Sequence, residues 1–328
     1  VRATLAGAAA TATAALAARR YLRLRPAFAG VAPELRSPLL PYVTMTYRAH
    51  TLPFLRAVYR IKRPAGPGVT VTTQRVGAAG MRVLVATPRS ARRPGPAVLM
   101  LHGGGMIVGS ARLELSTYGR LARELDAVIV APDYRLAPEN PFPAALDDCM
   151  ATLSWMRERA VTLGIDPDRI AVAGFSAGGG LAAAVAQRCH DEGLALRAQA
   201  LVYPMLDDRT VLRDSGGRGR LVWTPESNRF AWTAYLGRAP RMTDAPPYAA
   251  PARRANLSGL APAWIGVGEL DLFYAEDVAY AHTLRACGVP CELLTVAGMY
   301  HAADGYAPRS AVAAAFTSSL RDHLRTYL

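Results

Sequence analysis

The sequence is short of lysine, of paired cysteines and of long apolar runs, and each shortage removes a class of explanation. Lys62 is the only lysine, so the formal charge of +13 is carried by arginines scattered along 328 residues. No basic run is interleaved with aromatics and no zinc-finger or RNP spacing occurs, so no nucleic-acid partner is expected. What the charge permits is weak attraction to an anionic membrane surface. The cysteines, Cys149, Cys189, Cys287 and Cys291, form no Cys-x-x-Cys pair, and no histidine spacing around Cys287 and Cys291 completes a metal site. They read as buried thiols, and neither a metal nor an organic cofactor is expected.

The apolar run from Ala3 to Ala18 is built almost wholly of alanine, with threonine, glycine and leucine, and Arg19, Arg20, Arg23 and Arg25 follow it. It falls short of the roughly 20 residues needed to span a bilayer. Three readings stay open for residues 1–25: a helix packed on the body, a signal or anchor, and a disordered segment. The expected location is the cytoplasm, with export or membrane association following from the second reading.

At 51% hydrophobic, the chain can bury a large core of α/β size. "VTVTTQRV" (Val69 to Val76) and "MRVLVATP" (Met81 to Pro88) read as an antiparallel pair. After them, short apolar strands alternate with helical stretches: "AVLMLHGGG", a helix near Leu113 to Leu125, "DAVIVAPDY", a helix over Ala144 to Leu163, "RIAVAGF", a helix through Leu181 to Arg188, and "AQALVYP". Apolar strands alternating with helices indicate a mostly parallel sheet covered on both faces. In such sheets the working residues gather at the carboxyl ends of strands.

Two glycine clusters stand at such ends. Gly174-Phe175-Ser176-Ala177-Gly178 lies between the strand Ile170 to Ala173 and an alanine-rich helix, the context of a G-x-S-x-G nucleophile elbow. A serine nucleophile needs a base, itself oriented by a carboxylate. Of the histidines, His50, His190, His282 and His323 read as surface or packing residues, while His301 follows the strand "CELLTV" through "AGMYH". Glu269 and Asp271 follow the strand Trp264 to Val267, and either could orient His301; Glu276 and Asp277 read as the start of the next helix, where acids suit its dipole. Serine, acid and histidine then occur in α/β-hydrolase order. The second cluster, His102-Gly103-Gly104-Gly105, ends the strand "AVLML". The bare amides of Gly104 and Gly105, with that of Ala177, suit an oxyanion. No G-K-[ST] follows, which disfavours a phosphate loop.

"HGGG" (His102 to Gly105), "DYRLAPE" (Asp133 to Glu139), "PFPAALDD" (Pro141 to Asp148), "GFSAGG" (Gly174 to Gly179), "GELD" (Gly268 to Asp271) and "GMYH" (Gly298 to His301) together resemble the hormone-sensitive-lipase-like, or bacterial family IV, esterases. The resemblance covers Val69 to the C-terminus. It implies the α/β-hydrolase fold and a serine carboxylesterase with Ser176, Asp271 and His301 as its triad. It also implies a helical cap made of residues 1–63 and 206–250 on a core of 64–205 and 251–328. Two positions depart from the pattern: Phe175 stands where the family often has Asp, and Met106 where it often has an aromatic. Tyr203, Trp223, Phe230 and Trp232 are further pocket candidates, although aromatics in the insertion equally suit the core of two short helices. Arg135 and Glu139 read as bracing a loop near the glycine turn.

The expected reaction is hydrolysis of uncharged short to medium acyl esters through an acyl-enzyme, because no recognition site for a charged substrate is visible in the sequence. Longer-chain lipid esters, amides or peptides, and non-catalytic ligand binding are the alternatives. The partner is a small-molecule or lipid ester, and a homodimer stays open.

Overall fold

The computed structural model describes residues 19, 21–22, 24–44, 46–77, 80–90 and 93–328, so the whole alanine-rich run, Ala3 to Ala18, lies outside the described residues. The strands β1 (Val69–Val76), β2 (Met81–Pro88), β3 (Gly95–Leu101), β4 (Val128–Pro132), β5 (Ile165–Phe175), β6 (Gln199–Val202), β7 (Ala263–Gly268) and β8 (Cys291–Val296) form one sheet in the order β1-β2-β4-β3-β5-β6-β7-β8. β2 runs antiparallel to both neighbours and the remaining pairs are parallel. Burial follows composition: β4, β6 and β7 are buried throughout, whereas the edge strands β1 and β8 expose Thr70, Gln74, Arg75, Glu292 and Thr295. Polar side chains on an edge discourage pairing with another chain.

The longer helices are α1 (Leu52–Tyr59), α2 (Leu115–Leu125), α3 (Ala144–Glu158), α4 (Ala177–Asp191), α5 (Pro225–Leu236), α6 (Tyr274–Ala286) and α7 (Ala311–Tyr327). Apolar residues of α3, α4, α5 and α6 build the core on one face of the sheet, and those of α2 and α7 build it on the other. The single helix expected over Ala144 to Leu163 is two: Arg159 leaves helical geometry, and a four-residue helical turn, Ala160–Leu163, ends on Gly164 in the left-handed region. From β3 the chain crosses to β4 and returns past β3 to β5, which makes β3 and β5 neighbours, with Leu101 opposite Gly174. That reversal leaves a crevice at the strands' carboxyl ends, and it brings the glycine turn beside the G-x-S-x-G turn.

Two segments outside the sheet meet above those ends. Tyr47 donates its amide to Ser227 Oγ at 3.1 Å, and Val222 donates to Thr44 Oγ1 at 3.0 Å. Arg56 of α1 forms a two-pronged ion pair with Glu139 at 2.7 and 2.8 Å, and donates to the carbonyls of Ile107 and Ala137. Glu139 therefore braces the glycine turn through α1, a partner no local motif announces. Arg135 instead clasps Asp148 of α3, whose Oδ2 also accepts the Arg135 amide at 2.8 Å.

Asp148→Ala strands that amide and is expected to cost about 2–3 kcal/mol of unfolding free energy. Asp322→Ala, which breaks an exposed pair with Arg325, is expected to cost no more than about 0.5 kcal/mol. Urea unfolding of both variants, followed by tryptophan fluorescence, checks the contrast.

Candidate active site

β5 ends at Phe175 and α4 begins at Ala177, so Ser176 alone makes the turn, at φ 55° and ψ −118°. A β-carbon at Gly174 would lie 2.1 Å from the Gly178 carbonyl oxygen, and one at Gly178 would lie 2.2 Å from that of Leu101. The glycines flanking the serine are thus required by the closeness of α4 to β5 and β3. The Ser176 amide donates to Val202 O at 2.8 Å, and its carbonyl accepts from Gly180 and Met205.

β8 leads through its loop to His301, and β7 leads to Asp271. His301 Nε2 is 2.9 Å from Ser176 Oγ, and His301 Nδ1 is 2.8 Å from Asp271 Oδ2. The other carboxylate oxygen of Asp271 accepts the Phe273 amide at 3.0 Å. A carboxylate only accepts, so Nδ1 carries the proton and Nε2 faces the serine hydroxyl as an acceptor. Ser176, His301 and Asp271 are 6%, 4% and 0% exposed, so this chain of bonds runs in low dielectric. Glu269 is exposed and lies apart from it, its backbone bound to Val296 and Arg218.

His102 stacks on Tyr134 with ring centres 4.1 Å apart, and its Nδ1 lies 2.8 Å from Gly103 O. Burial lowers the His102 pKa, so the ring is neutral and donates to that carbonyl. Gly104, at φ +117°, is folded so tightly that a β-carbon would meet Val108 O at 2.2 Å. One on Gly105 would meet the Trp223 ring at 2.2 Å. Among the described residues, the amides of Gly104, Gly105 and Ala177 donate to no backbone carbonyl. Gly103 precedes them with its Cα packed toward Phe175 and Ser176.

Tyr203, Phe273 and Trp223 surround His301, with ring centres 4.8, 5.3 and 6.4 Å away. Phe273 had no signal in the sequence, because its role comes from the turn that Asp271 caps. Phe230 and Trp232 do not share this position: Trp232 is fully buried against Tyr235, Phe230 packs on the same core, and neither makes a ring contact with His301. Met106 is buried in the core at φ 62°, its carbonyl holding the Ala137 amide. Phe175 packs toward Tyr203 at 6.4 Å, replacing polar bonding behind the elbow with apolar contact. No group of three His, Cys, Asp or Glu among the described residues is arranged to hold a metal ion. Nor is any described helix long and apolar enough to cross a membrane.

Glu276 and Asp277 do occupy the first turn of α6, and both are buried. Glu276 accepts the amides of Leu206 and Asp207, which anchors the insertion to the core. Asp277 is 0% exposed and neither of its side-chain oxygens has a partner.

Fold and site together define an α/β hydrolase built around a serine. The alpha/beta hydrolase fold family matches residues 98–304. Esterase LipI of Mycobacterium tuberculosis is 38% identical over 216 residues, 65% of this chain and 67% of that protein. Carboxylesterase NlhH of the same organism is 37% identical over 250 residues, covering 72% and 76%. Among solved structures, a bacterial heroin esterase is similar with a TM-score of 0.83 at 33% identity, over 92% of this chain and 99% of that one. The chain belongs to the alpha/beta hydrolase fold family, in its hormone-sensitive-lipase-like (bacterial family IV) branch.

Burial, then the nearby Glu276 and Asp271, holds the Asp277 pKa well above the carboxylate range. The folded chain keeps that proton while the unfolded chain releases it above about pH 3.9, so this residue's contribution is full at low pH and fades as pH rises toward the folded pKa. Asp277→Asn cannot ionise and is expected to gain stability relative to wild type between pH 4 and pH 8. Urea midpoints across that range measure it, and a constant difference would refute the assignment.

Proposed function

We propose that the chain hydrolyses carboxylic esters of short to medium acyl chains with Ser176 as nucleophile, His301 as general base and acid, and Asp271 orienting the imidazole. The observation that carries this reading is the unbroken run of hydrogen bonds from Ser176 Oγ through His301 to Asp271. His301 Nε2 takes the hydroxyl proton as Ser176 Oγ attacks the ester carbonyl, and the amides of Gly104, Gly105 and Ala177 hold the oxyanion. Collapse of the tetrahedral adduct breaks the carbon–oxygen bond to the alcohol, which leaves with the proton from His301. Water, deprotonated by the same nitrogen, then attacks the acyl-enzyme and releases the acid.

The segment before residue 64 and residues 206–250 act as a cap. Their contacts at Tyr47–Ser227 and Thr44–Val222 support this assignment. Trp223, brought by the insertion against Gly105, is the wall that limits the bulk of the bound ester. Its ring also packs on Tyr47 at 5.3 Å and donates to Asn228 Oδ1 at 3.2 Å, so it is fixed from both sides.

Hydrolysis of p-nitrophenyl esters from acetate to palmitate tests the reading. Turnover is expected to peak at short chains, a fluorophosphonate is expected to label Ser176, and both signals should vanish in folded Ser176→Ala. Turnover retained without that hydroxyl would overturn the mechanism. Gly104→Ala is expected to lower kcat by about 10² or more, since losing one oxyanion donor typically costs about 10²–10³. Trp223→Ala should move the chain-length optimum upward in the same ester series.

A further inference from the structure

α1 has two apolar faces, and only one of them is covered. Leu52 and Leu55 point inward, buried in the same core as Met106, Ile107 and Val108 of the loop that follows the glycine turn. Phe54, Ala57, Val58 and Ile61 follow one another at spacings of three and four, which sets them in one row on the other side of the helix. The Arg60 amide still bonds to the Arg56 carbonyl and the Ile61 amide to that of Val58, so Ile61 continues the row past the helix end. Phe54 is 71% exposed, Ile61 58% and Val58 43%, and Ala57 is exposed with them.

Exposure of this kind is concentrated in one segment. Among the described residues, seven of the ten large apolar side chains left exposed lie between Tyr21 and Ile61. The same segment holds most of the charge: residues 19–63 carry ten arginines or lysines against one acid, Glu34, which is +9 of the chain's +13. Arg60 and Lys62 border the row, both exposed, and neither enters an ion pair among the described residues. An apolar row edged by unpaired cations is the pattern of a helix that lies in the plane of a lipid surface. A second copy of the chain suits this face less well, because it would set cation against cation with one acid per segment to offset them.

We propose that the outer face of α1 docks the enzyme on an anionic lipid bilayer, with Phe54, Val58 and Ile61 entering the headgroup layer and Arg60 and Lys62 facing the anionic headgroups. The docking stands apart from the ester-hydrolase reading, whereas its consequence for substrate rests on it. The inner face of the same helix packs on the loop after the glycine turn. Docking therefore holds that loop about one helix diameter, roughly 10 Å, from the interface, and the substrates met there are uncharged esters dissolved in the leaflet.

Sedimentation with vesicles tests the docking, with an equimolar mixture of phosphatidylglycerol and phosphatidylcholine set against phosphatidylcholine alone. The full chain is expected to bind the anionic vesicles about 100-fold more tightly, since each cation at such a surface contributes about fivefold. Arg60→Gln with Lys62→Gln is expected to remove about 20-fold of that preference, and Phe54→Ser with Val58→Ser to weaken anionic binding about tenfold. All four positions are exposed, so turnover of soluble p-nitrophenyl acetate should stay within about twofold of wild type in both double variants and report an intact fold. Equal binding to the two vesicles, or wild-type binding by either double variant, would overturn the docking. A wild-type dimer in light scattering that Phe54→Ser with Val58→Ser dissolves, without vesicle binding, would overturn it and assign the face to a second copy. Anionic binding lost in both double variants, in a chain that turns over no ester, would uphold the docking and refute the hydrolase reading.

Discussion

Everything at the carboxyl end of the sheet depends on one residue held in a backbone conformation it would not choose. A serine with positive φ is strained, of order 1–3 kcal/mol, and it persists only because the surroundings leave it no alternative. Here the constraint is contact between backbones. α4 approaches β5 and β3 so closely that neither Gly174 nor Gly178 has room for a β-carbon, and the Ser176 amide and carbonyl are both bound. The strain leaves the hydroxyl pointing out of the sheet, where only a residue from another strand end can reach it. The parallel arrangement of β5, β7 and β8 supplies those residues: their ends carry Ser176, Asp271 and His301 on one side of the molecule.

The second requirement is that water be excluded without the site being sealed by its own sheet. The core cannot do this, because strand ends open outward. In the proposed reading this falls to two segments far apart in sequence, the one before residue 64 and residues 206–250, which touch at Tyr47–Ser227 and Thr44–Val222 and are each moored separately. Arg56 ties the first to the loop after the glycine turn, and Glu276 ties the second to α6. The glycine turn is therefore supported from beneath by the His102–Tyr134 stack and from above by Arg56 and Trp223. Gly105 and Trp223 fit each other as a missing side chain and an oversized one.

How much of this was legible in the sequence divides along a physical line. β1 and β2 were readable to the residue, because alternation and the intervening turn are local properties. The serine and histidine were readable because glycine clusters and strand ends mark positions where backbone geometry is unusual. The choice between Glu269 and Asp271 was not settled by the residues alone, since two positions along a turn point opposite ways and only tertiary packing selects one. Arg56 and Phe273 left no trace, because one ordinary arginine and one ordinary phenylalanine acquire meaning from what lies across the fold. Trp232 carried the same pattern as Trp223, and both are buried in one core, but only Trp223 comes within ring contact of His301, a difference that the tertiary fold alone decides.

Charge is where composition and structure part most sharply. Much of the arginine pairs with acids that keep some exposure: Asp191 with Arg254, Asp147 with Arg188, Glu139 with Arg56. Those pairs are screened over roughly 8 Å at physiological ionic strength and say little about the interior. Asp277 is the contrast: it is fully buried near Asp271 and Glu276, and neither of its carboxyl oxygens has a hydrogen-bond partner. Placing a carboxylate in low dielectric without a counter-ion costs free energy in any protein, and Asp277 avoids that cost by keeping its proton, burial holding its pKa well above the carboxylate range. The net charge of +13 therefore describes the surface and not this carboxyl, because the field of a charge a few ångströms away in low dielectric exceeds that of a screened surface arginine.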